Sequence, residues 1–152
     1  MKTLFQLFKG TVLGFVLLVP SLSPAQNYPD AVSQKVQAAQ KQVKVIGMEE
    51  YRKIVDDPGD ALIVDVREPN EYTAGHVPGA INIPRGVLEF KIWKHLESPT
   101  GGGTDKPVVL QCQSGNRASL AAQSLAELGF THSTAVVMSL DEWQKEGHPF
   151  TK

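Results

Sequence analysis

The sequence predicts an α/β fold, a five-stranded parallel sheet with helices on both faces. Short apolar runs of strand length alternate with amphipathic segments of helix length along most of the chain, a pattern typical of parallel sheets covered on both sides. Residues 61–66 (ALIVDV) are almost entirely apolar, as in strands whose two faces are both buried. With 152 residues, of which 41% are hydrophobic and 20% charged, the composition is that of one globular domain.

Charge and cysteine content exclude several classes of function. The formal net charge is −1, so no basic surface is expected to drive nucleic-acid binding. The single cysteine excludes an internal disulfide, a cysteine-rich zinc site and a dithiol redox pair. His95, His132 and His148 share no spacing typical of metal ligands, so no metal site is expected.

Residues 1–25 predict an export signal. Two lysines lie among the first nine residues, and an apolar run follows at residues 11–19 (TVLGFVLLV). This run is shorter than the roughly 20 apolar residues that cross a bilayer, and the small side chains of Ser23 and Ala25 suit signal peptidase. We expect cleavage after Ala25 and a periplasmic or otherwise exported protein without a membrane span. An uncleaved membrane anchor is the alternative.

The first elements of the mature chain are an extension, a strand, a helix and a second strand. Residues 26–42 are polar and rich in alanine and glutamine, which indicates an N-terminal extension with a loose helix. Residues 43–46 predict a short strand, and residues 48–55 predict a helix that ends at the turn of residues 56–59. Residues 61–66 predict the second strand, because they form a continuous apolar run.

The middle of the chain continues the alternation. Residues 68–74 predict a short helix that ends at Gly75. The third strand is predicted at residues 80–83 and is followed by a helix at residues 87–96. A glycine-rich loop then leads to another apolar run at residues 108–111, which predicts the fourth strand.

The last elements complete one domain. Residues 117–128 predict a helix that ends before Gly129, because its alanines and leucines fall on one face. A last strand is predicted at residues 135–137 and a closing helix at residues 140–146. Since no repeat and no second domain is indicated, residues 43–152 are predicted to fold together.

The lone cysteine opens a polar loop between the fourth predicted strand and the helix that follows. This active loop contains Cys112, Gln113, Ser114, Gly115, Asn116 and Arg117. Ligands of open parallel sheets bind at the carboxyl ends of strands, where this loop lies. Gly115 permits tight curvature, so successive backbone N–H groups can surround an anion at the helix N-terminus. These amides and Arg117 would favour a thiolate at Cys112. A buried inert cysteine, or one that pairs between chains, is the alternative.

Three segments together resemble the rhodanese family of sulfurtransferases. They are residues 65–68 (DVRE), residues 71–84 (EYTAGHVPGAINIP) and residues 112–118 (CQSGNRA). The resemblance extends over roughly residues 43–149, nearly the whole mature chain. It implies a single-domain sulfurtransferase with a five-stranded parallel sheet, whose rhodanese domain is residues 43–152; residues 1–25 indicate that this is an exported form.

The resemblance also implies a chemistry for the active loop. Cys112 would take a sulfane sulfur from a small anionic donor such as thiosulfate and hold it as a persulfide. The acceptor would be cyanide or a thiol. Because the carrier is a covalent cysteine persulfide, neither a separate cofactor nor a metal is implied. Residues expected to bind the substrate through backbone amides, together with the Arg117 side chain, are Gln113, Ser114, Gly115, Asn116 and Arg117.

Two further motif residues are expected to support the site from outside the loop. Asp65 and Arg67 end the second predicted strand, at the same sheet edge as the active loop. Arg67 is expected to help attract or orient the donor, with an ordinary ion pair as the equally weighted alternative. His76 invites a role as general base, but in the family it belongs to a turn that packs the fold, which is the favoured interpretation.

The sequence departs from the family pattern at two places. Many members carry a Gly-Gly pair before the closing helix, whereas residues 137–143 (VMSLDEW) lack glycine. This segment is expected to border the mouth of the site and to influence donor or acceptor preference. The active loop also has Arg117 as its one charged side chain besides the cysteine, so weak binding of the thiosulfate dianion is expected.

Two other functions compete with sulfur transfer. Phosphatases and arsenate reductases use a similar cysteine-to-arginine loop, but theirs is one residue longer than the four residues that separate Cys112 from Arg117 here. Gln111 also stands where those phosphatases usually have histidine. A non-catalytic sulfur carrier or binding module is the other alternative, although such a domain would more often have lost the cysteine or the arginine. The motifs leave the physiological donor, the acceptor and any protein partner open.

Overall fold

The structure is a computed structural model that describes residues 28–96 and 103–152. The predicted export signal, residues 1–25, lies outside the described residues. The strands are β1 (Lys44–Ile46), β2 (Leu62–Asp65), β3 (Ile81–Asn82), β4 (Val108–Gln111) and β5 (Ser133–Val136). The helices are α1 (Asp30–Gln40), α2 (Met48–Asp56), α3 (Pro69–Ala74), α4 (Leu88–Lys91), α5 (Asn116–Glu127) and α6 (Leu140–Lys145).

The five strands form one parallel sheet in the order β1-β5-β4-β2-β3. This confirms the predicted α/β class and the five-stranded parallel sheet. In the register of the central pair, Asp65 at the end of β2 lies beside Gln111 at the end of β4. Parallel strands end at the same sheet edge, so the residues that follow Asp65 and those that follow Gln111 meet there.

Helices cover both faces of the sheet, as predicted. On one face, Leu88 and Ile92 of the α4 segment and Leu125 of α5 pack onto Val64 and Leu110. On the opposite face, a second buried cluster contains Tyr51 of α2 and Leu140 and Trp143 of α6, packed with Ile63 and Val109. The two clusters use alternate residues of β2 and β4, which is the period of a strand with both faces buried.

Helix α1 differs from the predicted loose helix in the extension. Its Val36 and Ala39 are buried, and α1 packs along α5. Gln40 Nε2 donates to Ser119 Oγ at 3.1 Å, and Gln123 Nε2 donates to Gln42 Oε1 at 2.8 Å. The extension was hard to predict because its apolar stripe is narrow, with two small side chains three positions apart in a polar helix.

The predicted helix at residues 87–96 is divided in the structure. A 3₁₀ turn at Arg85–Val87 precedes α4, and a second one at Ile92–His95 follows it. The Trp93 indole Nε1 donates to the carbonyl of Glu89 at 2.7 Å. Leu88 in α4 and Ile92 in the second 3₁₀ turn are both fully buried in the same cluster. The other predicted elements agree with the observed ones to within a few residues at each end.

Across residues 28–96 and 103–152, no helix is both long enough and apolar enough to cross a bilayer.

Candidate active site

Cys112 lies directly after β4, and α5 begins at Asn116, so the active loop joins a strand end to a helix N-terminus. Cys112 is 2% exposed and is not in a disulfide. The backbone N–H of Gly115 donates to Cys112 Sγ at 3.2 Å. The loop therefore turns back on its own cysteine, and an amide donor faces the sulfur at the positive end of the α5 dipole. Both features place positive partial charge beside that sulfur.

Gly115 is required by the conformation of this loop and by what surrounds it. Its φ is +92°, in the region that L side chains rarely adopt. A Cβ there would lie 2.7 Å from Val137 Cα and 3.0 Å from the carbonyl oxygen of Val136. The backbone of the active loop therefore approaches the end of β5 at a distance that leaves no room for a side chain.

The segment after β5 holds the other side of the active loop. The Leu140 N–H donates to the carbonyl of Gln113 at 2.9 Å, and Gln113 Nε2 donates to Asp141 Oδ1 at 2.9 Å. Ser139 caps α6, since its Oγ accepts the Glu142 N–H at 3.3 Å. The segment without glycine, residues 137–143, therefore lies against the active loop and is bound to it by backbone and side-chain hydrogen bonds.

The Arg117 guanidinium is bound by Glu71, a partner that the sequence analysis did not identify. Arg117 Nη1 lies 2.6 Å from Glu71 Oε2, and Nη2 lies 2.9 Å from Oε1. The side chains are 35% and 31% exposed, respectively. The signal for Glu71 was its place in a capping box, since Glu71 Oε2 also accepts the Glu68 N–H at 3.0 Å.

This ion pair changes the electrostatics expected for the site. The hydrogen bond from Arg117 is the main cause that lowers the Glu71 pKa from 4.5 to about 2. The same bond with Glu71 raises the Arg117 pKa, and the negative charges of Glu71 and Asp65 add to that effect. Both groups are charged at neutral pH, so Glu71 offsets the formal charge that Arg117 brings to the active loop.

Asp65 and Arg67 form a buried ion pair at the neighbouring strand end. Arg67 Nη2 donates to Asp65 Oδ2 at 2.7 Å and to the carbonyl of Gly75 at 2.7 Å, and Nε donates to both Asp65 oxygens. Arg67 is 4% exposed and Asp65 is fully buried. This is the ion-pair alternative of the sequence analysis: Arg67 is engaged in holding the chain near Gly75 and does not present its charge to solvent.

Comparison with known proteins assigns the family. Residues 47–146 match the family model of the Rhodanese-like domain. The chain belongs to the rhodanese-like family. The motif residues that follow β2 and β4 therefore lie within a domain of the rhodanese-like family.

Relatives of this rhodanese-like domain include sulfurtransferases. The thiosulfate:glutathione sulfurtransferase of Saccharomyces cerevisiae is 28% identical over 116 residues, which cover 69% of this chain and 81% of the yeast protein. Among solved structures, the polysulfide-sulfur transferase homodimer of Wolinella succinogenes has a TM-score of 0.60 and 29% identity, covering 80% of this chain and 88% of that chain. These relatives support sulfur transfer as the general class of activity.

Other relatives of the rhodanese-like domain carry different descriptions. A Rhodopseudomonas palustris protein, described as of unknown function and as a possible tyrosine phosphatase, has a TM-score of 0.67 and 26% identity, covering 79% of this chain and 93% of that chain. The chain spans 25% of the length of a matching rice adenylyltransferase and sulfurtransferase, and 49% of a putative sulfur carrier protein of Bacillus subtilis.

The motif between α3 and β3 supports the rhodanese-like fold rather than the reacting centre. The His76 ring stacks on Tyr72 with a centroid distance of 3.7 Å, and the His76 backbone pairs with Thr151. Tyr72 Oη donates to the carbonyl of Ala80 at 2.7 Å. These contacts agree with the packing role favoured for His76, and they keep Tyr72 half-buried.

A buried polar side chain immediately precedes the active loop in the sequence. Gln111, the last residue of β4, is fully buried, and neither its amide nitrogen nor its oxygen has a hydrogen-bond partner in the described part of the chain. Gln111 lies on the same sheet face as Asp65. Each of them comes two positions after a residue of the same buried cluster, and residues two positions apart on a strand share a face. The Tyr51 hydroxyl is also buried, and burial followed by the charge of Asp65 raises its pKa. Gln111 cannot titrate, unlike the histidine of the phosphatase loops.

Within residues 28–96 and 103–152, no group of three or more histidine, cysteine, aspartate or glutamate side chains is placed to hold a metal ion.

Proposed function

We propose that this chain is a sulfurtransferase that carries a sulfane sulfur as a persulfide on Cys112. The donor is a small sulfur-containing anion such as thiosulfate, and the acceptor is cyanide or a thiol. The observation that carries the proposal is the 3.2 Å approach of the Gly115 N–H to Cys112 Sγ, in a loop that begins a helix. An amide that stabilises a thiolate can equally stabilise a sulfur atom attached to it.

The reaction divides into two displacements at sulfur. The Cys112 thiolate attacks the outer sulfur of thiosulfate, the sulfur–sulfur bond of the donor breaks, and its electron pair leaves with sulfite. The acceptor then attacks the outer sulfur of the persulfide, and the electron pair of the broken bond returns to Cys112 Sγ. With cyanide the product is thiocyanate, and the thiolate is restored.

The length of the active loop favours sulfur over phosphate. Four residues lie between Cys112 and Arg117, and the Gly115 amide already reaches Cys112 Sγ across this ring. A ring of this size suits one added sulfur atom, whereas a tetrahedral oxyanion needs donors placed further from the nucleophile. A phosphatase activity is therefore the disfavoured alternative.

A sulfur carrier without its own turnover is the second candidate. Cys112 is 2% exposed, so an acceptor in solution has little access to its sulfur. The pairing of Arg117 with Glu71 also leaves little net charge to attract a dianion. Both observations favour slow turnover with thiosulfate, and a carrier would receive and deliver its sulfur through a partner protein instead.

One set of assays separates these functions. The purified chain is incubated with thiosulfate and cyanide while thiocyanate is measured, and the mass of the Cys112 peptide is recorded after thiosulfate alone. We expect thiocyanate, ping-pong kinetics and one added sulfur, all lost in Cys112→Ser. Added sulfur without thiocyanate would indicate a carrier. Faster hydrolysis of aryl phosphates than transfer of sulfur would contradict the proposal.

A further inference from the structure

A short chain of hydrogen bonds joins helix α1 to the active loop. Gln40 Nε2, at the end of α1, donates to Ser119 Oγ at 3.1 Å. The Ser119 hydroxyl donates in turn to the carbonyl of Gly115 at 2.7 Å. Gly115 is also the residue whose backbone N–H donates to Cys112 Sγ at 3.2 Å. The extension therefore reaches, through one buried hydroxyl, the residue that faces the sulfur.

The Ser119 hydroxyl sets the direction of both bonds in this chain. A hydroxyl has one proton to donate and lone pairs with which to accept. The carbonyl of Gly115 can only accept, so it takes the proton of Ser119. The bond between Ser119 and Gln40 must then be donated by the Gln40 amide. The chain therefore needs a donor at position 40, which a carboxylate of the same size cannot supply.

The carbonyl of Gly115 accepts two hydrogen bonds from Ser119. The Ser119 N–H donates to it at 2.9 Å, as in an α-helix, and the hydroxyl adds the second bond. In a trans peptide the N–H points opposite to the C=O, and the described part of the chain contains no cis peptide bond. The peptide group between Gly115 and Asn116 is therefore held with its C=O directed along α5 and its N–H directed back towards the active loop.

The donor of this chain belongs to the extension. The match to the rhodanese-like family covers residues 47–146, and Gln40 lies before that range. Ser119 is fully buried, whereas Gln40 is half-buried at the end of α1. A buried hydroxyl that loses a hydrogen-bond partner is destabilised or turns towards another one. The docking of α1 on α5 therefore determines how firmly Ser119 is held.

We propose that Gln40 and Ser119 are positioning residues for the sulfur transfer proposed above. Gln40 holds the Ser119 hydroxyl in the rotamer that donates to Gly115. Ser119 holds the carbonyl of Gly115, so the amides of the active loop keep one orientation around the sulfur. Amides that are oriented before the reaction stabilise developing charge without rearranging. Both side chains act through the backbone of the loop and not by contact with the substrate.

Gln40→Glu tests this role in the full-length chain, because it keeps the size of the side chain and replaces the donor by an acceptor. The carboxylate can bind Ser119 only by taking the proton that the carbonyl of Gly115 accepts. We expect kcat/KM for sulfur transfer from thiosulfate to cyanide to fall about fivefold, the effect of one lost hydrogen bond. An unchanged kcat/KM would overturn the role of Gln40.

Gln42→Glu is the matched control. Gln42 follows α1, and its Oε1 accepts from Gln123 Nε2 on α5 at 2.8 Å. A carboxylate accepts this bond as well, so the same substitution adds the same charge beside the same helix without breaking a hydrogen bond. Its kcat/KM should stay within about twofold of that of the unmodified protein. Equal losses in Gln42→Glu and Gln40→Glu would indicate an effect of the added charge and would overturn the proposal.

A double-mutant cycle tests whether Gln40 acts through Ser119. Ser119→Ala alone should lower kcat/KM at least as much as Gln40→Glu does. Adding Gln40→Glu to Ser119→Ala should then cause no further loss, because the hydroxyl that connects Gln40 to the loop is already absent. Independent, multiplying losses would show that Gln40 affects the activity by another route and would overturn the chain.

An NMR measurement on the substrate-free protein keeps this inference separate from the proposed function. The amide signals of Gly115 and Asn116 should move in Gln40→Glu and in Ser119→Ala, and should keep their positions in Gln42→Glu. Such shifts support the positioning role even if no sulfur is transferred to cyanide, a failure that counts against the proposed function alone. Signals that do not move in Gln40→Glu overturn the positioning role, whatever the transfer assay shows.

Discussion

The ion pair between Glu71 and Arg117 makes the charge of the active loop experimentally accessible. Glu71→Gln preserves the size of the side chain, and its amide oxygen can still accept a hydrogen bond from Arg117 or from the Glu68 N–H. The substitution removes the carboxylate charge that offsets the guanidinium. We expect two consequences, a loss of stability that depends on pH and a gain in the use of an anionic donor.

The stability change follows from the pKa of Glu71. Folding lowers this pKa from 4.5 to about 2, chiefly through the hydrogen bond from Arg117. The carboxylate therefore stabilises the fold at pH values above 4.5, and this contribution is lost as the pH falls towards about 2. The pKa difference alone would correspond to about 3 kcal/mol. Because both partners are roughly one-third exposed, solvent screening reduces the expected contribution to about 1 kcal/mol.

Urea unfolding at several pH values tests this stability change. At pH 7, Glu71→Gln should be less stable than the unmodified protein by about 1 kcal/mol. The difference should shrink as the pH is lowered from 4.5 towards about 2. Glu89→Gln should also lose stability in a pH-dependent way, because Glu89, on α4, lies 2.8 Å from Arg85 in an ion pair of similar exposure. Burial raises the Glu89 pKa, but hydrogen bonds from Ser124 and Arg85 outweigh it and lower this pKa. Glu89→Gln is therefore the matched control for the donor kinetics, since its ion pair lies away from the active loop. A pH-independent difference in Glu71→Gln would refute the electrostatic explanation.

The donor kinetics test the charge itself. Without the Glu71 carboxylate, Arg117 keeps its full charge beside the active loop, and an exposed ion pair with the thiosulfate dianion is worth about 1 kcal/mol. We expect KM for thiosulfate to fall about fivefold in Glu71→Gln, more at low salt than at high salt, and to stay unchanged in Glu89→Gln. A folded Glu71→Gln protein with unchanged or higher KM would show that Glu71 matters for the position of Arg117 rather than for its charge.

Three further predictions concern the loop, its arginine and the N-terminus. Gly115→Ala should lower the free energy of unfolding by about 3 kcal/mol, measured in urea. Gly129→Ala, with the same φ of +92° but nothing within 4 Å of its Cβ, should lose about 1 kcal/mol. Arg117→Lys should reduce kcat/KM for sulfur transfer about tenfold, because lysine is a point charge on a flexible stem and lacks the fixed planar donors of a guanidinium beside the active loop. Arg85→Lys should retain activity, and equal losses would contradict this. N-terminal sequencing of the protein from its host should find Gln26 first, and an intact Met1 on membrane-bound protein would contradict the predicted cleavage.

The fold class and the reactive loop were predictable because their signals are local. Apolar runs of strand length alternate with helical segments, so the class of fold followed from periodicity alone. The active loop is contiguous, from Cys112 to Arg117, and its glycine and turn-forming residues precede a helix with one apolar face. Its placement at a strand end therefore needed no knowledge of long-range contacts.

Tertiary structure decided the partners of the charged groups and the position of the extension. Glu71 meets Arg117 across 46 positions of sequence, because the residues that follow β2 and β4 share one sheet edge. The extension docks on α5 through Val36 and Ala39, although its polar composition predicted a loose helix. Such contacts depend on the register of strands and on which helix face a neighbour covers, and these are properties of the packed chain. The offset of the Arg117 charge by Glu71 and the docking of the extension on α5 were therefore decided by the tertiary structure.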